Sequence, residues 1–247
     1  NEAKALFDRL WRDSDKLLDN SNIQDFELEV YKKIWIDKLP IPYLMFIRVL
    51  IEYFSVNEDE IKYPAEITNN RFFNVKYQID AIKKGYTILK KHGGVIIADV
   101  VGLGKSIIAS VIAYNLQIKT IIIAPPHLTQ QWDDYRKFFG IDAYVFSSGK
   151  IEEALETERN LGNKEKLIII DEGHKYRNEK TNDYGFLHQI CQGNKVIILS
   201  ATPFNNEPQD IFSMIKLFQI PSKSTLQHID NLNYQLKSVI EKYKRII

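Results

Sequence analysis

Five short β-rich runs, four of them mostly Ile and Val, separated by stretches of helix length, constrain this chain more than any other feature. They cover 94–98, 120–124, 142–146, 166–170 and 195–199. Ile121-Ile122-Ile123 and Ile168-Ile169-Ile170 have no polar face, so such strands must be covered on both sides. Parallel strands joined by crossover helices meet that need. The spacing predicts an α/β fold, with a parallel sheet covered by helices on both faces.

The flanks read differently. Leu6, Leu10, Leu17 and Leu18, with Phe7 and Trp11, recur at helical spacing, and Val30, Ile34 and Trp35 suggest a second helix. Pro40 and Pro42 precede an apolar helix over 43–54, and the polar stretch 57–70 reads as a connector. The expected organisation is a helical appendage over 1–70, a lobe over 71–222 and a helical tail over 223–247. With 45% hydrophobic and 26% charged residues among 247, the chain has apolar material for one substantial core. A net charge of +1 neither demands nor excludes a nucleic-acid partner. One cysteine, Cys191, excludes an intrachain disulfide and suits a reducing compartment. Its apolar setting makes it a packing residue. No apolar run approaches the ~20 residues of a membrane span, so no membrane partner and a cytoplasmic location are expected. The chain starts without methionine and ends inside a helical pattern, as a piece of a longer polypeptide would.

The first strand feeds directly into Asp99-Val100-Val101-Gly102-Leu103-Gly104-Lys105-Ser106, and an apolar helix follows. Strand, glycine turn and helix start suit phosphate chemistry. Gly102 and Gly104 let backbone N–H groups approach phosphate oxygens, and the helix N-terminus adds positive potential. Lys105 would reach the β- and γ-phosphates, and Ser106 offers a hydroxyl to Mg²⁺. The common pattern has glycine where Asp99 stands. Taken alone, the motif also fits a glycine turn followed by a solvated lysine.

The fourth run ends in Asp171-Glu172-Gly173-His174. Adjacent carboxylates at the end of a buried strand are costly unless they hold a cation or relay protons. Behind a phosphate-binding loop, Asp171 suits the Mg²⁺ shell and Glu172 the attacking water. The fifth run ends in Ser200-Ala201-Thr202-Pro203, whose hydroxyls suit hydrogen bonds to a neighbouring box.

Together these elements resemble motifs I, II and III of superfamily-two helicases, and most closely the Swi/Snf-type branch of double-stranded DNA translocases. The segment from Asp99 to Ser106 is similar to that branch's D-E-x-G-L-G-K-T, non-glycine first position included. Lys175-Tyr176-Arg177-Asn178 resembles its R-x-K-N extension with the basic residues exchanged, and Ser200-Ala201-Thr202-Pro203-Phe204-Asn205-Asn206 resembles T-G-T-P-L-Q-N. Upstream, Tyr77-Gln78 matches the adenine-reading Y-Q, and Ala124-Pro125-Pro126-His127-Leu128 with Gln131-Trp132 is similar to motif Ia. Gly173 stands where alanine is usual and Ser106 where threonine is commoner. The resemblance covers about 72–220.

The resemblance implies a RecA-like P-loop lobe that binds ATP and Mg²⁺ through Tyr77, Gln78, Val101, Gly102, Leu103, Gly104, Lys105 and Ser106. Lys105, Asp171 and Glu172 would carry the chemistry, with Ser106 and Asp171 at the metal. His174, Ser200 and Thr202 would couple nucleotide state to movement on DNA, duplex rather than single-stranded. Pro125, Pro126 and His127 would form a strand-contact loop, and Lys175 and Arg177 are either solvated charges or contacts to the phosphate backbone. Trp132 reads as core packing. Motifs IV to VI, with their arginine fingers, have no counterpart between Pro221 and Ile247, so a second RecA-like lobe is an expected partner and this piece alone should turn ATP over slowly. Leu10-Trp11-Arg12-Asp13-Ser14 is similar to the segment before the motor in bacterial proteins that carry a phospholipase-D-like nuclease domain. Two other classes compete: a small-molecule P-loop kinase, and a non-catalytic ATP- or DNA-binding scaffold.

Overall fold

A computed structural model describes residues 61–98, 102–202, 208–220 and 231–244. The helices expected within 1–60 lie outside the described residues. Strands β1 (Gly94–Ala98), β2 (Thr120–Ala124), β3 (Ala143–Ser147), β4 (Leu167–Ile170) and β5 (Lys195–Ser200) form one sheet in the order β1-β5-β4-β2-β3. Every pairing is parallel, as the Ile and Val runs without a polar face predict. The limits of β3, β4 and β5 differ from the expected ones by one residue. The Lys166 N–H donates to Asn194 Oδ1 (2.9 Å) rather than to a neighbouring strand, so β4 starts after it.

Alternation along the strands divides the core in two. Ile122, Leu167, Ile169, Ile197 and Leu199 share one face with Ile82 and Leu89 of α2 (Lys76–His92) and Ile108 and Ile112 of α3 (Lys105–Leu116). Trp132 and Phe139, from α4 (Thr129–Phe138) and its C-cap, join them. Ile121, Ile123, Ile168, Ile170, Val196 and Ile198 share the other face with residues of α5 (Ile151–Asn160) and α6 (Asn182–Cys191). Cys191 is buried there, and burial pushes its thiol well above the ordinary range, which fits packing rather than reactivity. Helix α3 has an unbroken buried stretch, Ile108 to Ala113. A stretch buried at six successive positions, Ser110 among them, needs cover all round.

The lobe's core reaches back to Ile61, which is 4% exposed and lies upstream of the expected boundary at 70–71. Asn115 fastens the preceding connector by accepting from the Lys62 N–H (2.8 Å) and donating to the Lys62 carbonyl (2.9 Å). A single turn, α1 (Pro64–Ile67), follows. After β5, α7 (Pro208–Ile215) packs on the second face through Met214, and the Tyr184 hydroxyl donates to the Ser213 carbonyl (2.8 Å). The expected tail contains α8 (Leu232–Lys244). Among the described residues, no helix is long and apolar enough to cross a membrane.

Candidate nucleotide-binding site

Because all five strands run the same way, the residues following β1, β2, β4 and β5 gather at one edge of the sheet, where ligands bind in open parallel folds. The turn after β1 places Gly102 at φ 90° and Gly104 at φ 79°, a region L side chains rarely adopt. Gly104 is the N-cap of α3, so Lys105 and Ser106 occupy its first turn. That puts the backbone N–H groups of the helix's first turn beside a lysine and a hydroxyl. Val101 lies outside the described residues.

Tyr77 and Gln78 open α2 and reach this turn. The Tyr77 hydroxyl donates to the Leu103 carbonyl (3.0 Å), and Gln78 Nε2 donates to the same carbonyl and to the Tyr77 oxygen, both at 3.3 Å. A Cβ at Gly104 would stand 2.5 Å from Gln78 Nε2, so a side chain there would displace the Gln78 amide from this position. The motif named for adenine and the motif named for phosphate are thus in direct contact. Two hydrogen bonds of this length, each worth roughly 0.5–1.5 kcal/mol net, hold Gln78 weakly enough for exchange with a base.

Strand alternation carries Asp171 to the face of Leu167 and Ile169, the side of α3 and α4. There it is 6% exposed. Its Oδ1 accepts the Glu172 N–H (2.9 Å) and its Oδ2 accepts the Trp132 indole N–H (2.8 Å). Burial pushes its carboxyl above the ordinary range, while these two donors and the Lys105 charge pull it down. The net direction is upward, as for a carboxylate lacking a full counter-charge. Glu172 itself adopts φ 52°, a left-handed conformation uncommon for a non-glycine residue and typical of functional turns. His174 Nδ1 lies 3.1 Å from Glu172 Oε2 without hydrogen-bond alignment.

The expected coupling hydroxyls are not bonded to this box among the described residues. Register explains it: Ile170 pairs with Ile198, so β5 continues past the end of β4, and Ser200 lies beside Ala98 of β1 instead. Ser200 is buried and its Oγ accepts the Thr202 N–H (3.2 Å). After β2, Pro125 is buried whereas Pro126 and His127 are exposed on a short 3₁₀ turn, so the last two form the accessible part of that loop. Lys175 is exposed, and Arg177 is 3.7 Å from Asp210 of α7 and 41% exposed.

Two contributors were not identified from sequence. Trp132 is buried packing, as expected, but also supplies a donor to the acidic box. Glu179, beyond the box, accepts from Lys216 Nζ (2.8 and 3.1 Å), Ser213 Oγ (3.0 Å) and Gln209 Nε2 (3.3 Å). It ties the segment after Asp171 to the helix after β5. Among the described residues, no cluster of His, Cys, Asp and Glu could by itself hold a metal ion.

Residues 151–239 match the SNF2-related domain model. The chain is 28% identical over 195 residues to an uncharacterized ATP-dependent helicase, YqhH, of Bacillus subtilis, covering 71% of the chain and 34% of that protein. It is 28% identical over 158 residues to the DNA repair and recombination protein RAD54B of Homo sapiens, covering 49% and 17%. Its fold is similar to the Sulfolobus solfataricus SWI2/SNF2 ATPase core in complex with dsDNA, with a TM-score of 0.56 at 18% identity, covering 74% of this chain and 44% of that one. The chain therefore spans about a third of the bacterial relative's length. With the glycine turn, the Asp-Glu-Gly-His box and the sheet order in place, the chain has a RecA-like parallel α/β fold similar to the SWI2/SNF2 ATPase core, and its second half is similar to the SNF2-related domain.

Proposed function

We propose that this chain is the first, ATP-binding lobe of an ATP-driven DNA translocase, acting with a second RecA-like lobe in a longer cytoplasmic protein. One observation carries this most strongly: Asp171 is buried within the electrostatic reach of Lys105 and beside Glu172, at the same sheet edge as the glycine turn. The donor set suits Mg²⁺. Each Asp171 oxygen accepts one N–H, leaving acceptor capacity for a hard, oxygen-seeking cation, and Ser106 adds a hydroxyl. Bound there, the ion would neutralise charge on the phosphates.

The residues then divide the work. Lys105 and the N–H groups of the turn hold the β- and γ-phosphates, and Glu172 orients the attacking water and accepts its proton. Gln78 reads the adenine edge once it leaves the Leu103 carbonyl, with Tyr77 beside it. His174, Ser200 and Thr202 relay the state of the site toward the partner lobe. Pro126, His127, Lys175 and Arg177 are the residues offered to a DNA backbone, and Pro125 anchors its loop. Duplex DNA is the proposed track, a choice supported by the Sulfolobus core, which was solved with dsDNA.

The test is steady-state ATP turnover by this chain and by its longer parent, with and without duplex DNA. The parent should be stimulated by DNA. This chain should bind ATP yet turn it over slowly, since a missing arginine finger costs on the order of 10³–10⁵ in rate. Parent-like, DNA-stimulated turnover by this chain would show the second lobe to be dispensable. A parent indifferent to DNA would favour a small-molecule kinase.

A further inference from the structure

We infer that Trp132 is a positioning residue for the metal-holding carboxylate, fixing Asp171 through its indole N–H and thereby setting the affinity of the site for Mg²⁺ on bound ATP. The inference rests on the proposed role of Asp171 and adds a residue from a different element.

The indole has one donor and no acceptor, so a buried tryptophan needs one correctly placed oxygen. Trp132 is 1% exposed, and its partner is Asp171 Oδ2 at 2.8 Å. With the Glu172 N–H on Oδ1 at 2.9 Å, the carboxylate is gripped at both oxygens, from two directions. Rotation of the carboxyl group would break both bonds at once. The ring itself is held edge-on against Tyr135, with centroids 6.1 Å apart, and within the apolar cluster formed by α2, α3 and α4. A swing of the indole would disrupt that packing. Packing alone needs no donor, and phenylalanine, though smaller, would supply an aromatic ring without one. The N–H is what phenylalanine lacks, and the N–H meets the carboxylate.

The placement also joins two parts of the site. Trp132 stands one turn into α4, which begins immediately after the exposed turn of Pro126–Leu128. A helix is stiff over so short a distance. Displacement of that turn, by whatever occupies it, is carried to Oδ2 of Asp171, and occupancy at Asp171 is carried back with equal coupling free energy.

The decisive variant is Trp132→Phe, measured by titration calorimetry of ATP binding at a series of Mg²⁺ concentrations and in EDTA. Groups that orient metal ligands typically contribute 10–100-fold to metal affinity. The Mg²⁺ concentration for half-maximal enhancement of ATP binding should therefore rise about 10–100-fold, with ATP affinity in EDTA unchanged. A residue that serves packing alone would weaken both measurements together or neither, and that result overturns the inference. If wild type shows no Mg²⁺ dependence, the assignment of Asp171 fails, and the inference fails with it. Should Trp132→Phe not fold, the indole reports directly. With Trp11 and Trp35 replaced by phenylalanine, emission from Trp132 should change when Mg²⁺ is added to the ATP complex. The change should vanish on Asp171→Asn. Emission unaltered by Mg²⁺, or altered equally in Asp171→Asn, would overturn the inference.

Discussion

Gly173→Ala is a small substitution with a large expected effect, because a Cβ at Gly173 would overlap Ile198 Cγ2. Ile198 cannot retreat. It is fully buried, paired with Ile96 of β1 and Ile170 of β4, and the new Cβ would also lie 3.7 Å from Ile198 Cβ and the Leu199 carbonyl. Overpacking of this kind costs roughly 1–3 kcal/mol. For a domain of this size, each kcal/mol lowers Tm by about 2–4 °C, so the expected fall is about 2–12 °C. Ile198→Val keeps Cγ2 and should give no relief. Ile198→Ala removes it, and although that change alone costs about 2–5 kcal/mol, Gly173→Ala should then add almost nothing. Thermal and urea unfolding of the four proteins measures the coupling. ATP turnover should follow the same pattern, since the turn at Gly173 also places Glu172 and His174. Additivity within ~0.5 kcal/mol would refute the steric argument. The clash also accounts for glycine at a position where the resembled motif has alanine: Ile198 fills the space.

Two further outcomes follow from particular contacts. Gln78→Ala should cost ATP roughly 1–3 kcal/mol of its preference over GTP; equal losses in a competition assay would remove Gln78 from base recognition. Burial works to raise the Glu179 carboxyl, but Lys216, Ser213 and Gln209 outweigh it and hold it below its ordinary value of 4.5. A depressed carboxylate stabilises the fold above that value, and the contribution disappears as pH falls through the lowered one. Glu179→Gln should therefore lower stability at neutral pH by about 1 kcal/mol, given partial exposure, with the deficit vanishing in acid. A deficit independent of pH would assign the effect to packing.

The sheet was legible because Ile and Val runs with no polar face leave few alternatives to a doubly covered parallel strand, and β1 and β2 have the expected limits. The start of β4 was off by a residue because the Asn194 side chain replaces a backbone partner at Lys166. The gathering of Lys105, Asp171 and Glu172 was legible because parallel strands bring the residues that follow them to one edge of the sheet. The bond from Trp132 to Asp171 was not. It spans 39 positions and depends on how α4 is rotated against the sheet, which apolar spacing leaves undetermined. Glu179 was hidden for a similar reason: its partners lie 30–37 positions away, beyond β5, and carry no motif. The relation of Ser200 to β1 rather than to the acidic box required the strand order, with β5 between β1 and β4.

The central claim is that Lys105, Ser106, Asp171 and the glycine turn form one site for Mg²⁺–ATP. Calorimetric titration of the 247-residue chain with ATP in Mg²⁺, repeated on Lys105→Ala, tests it most directly. The account predicts one ATP bound per chain, with affinity reduced at least about tenfold, or ~1.4 kcal/mol, in a variant that keeps its fold by circular dichroism. Equal affinity in the folded variant, or no ATP bound to either protein, would contradict it.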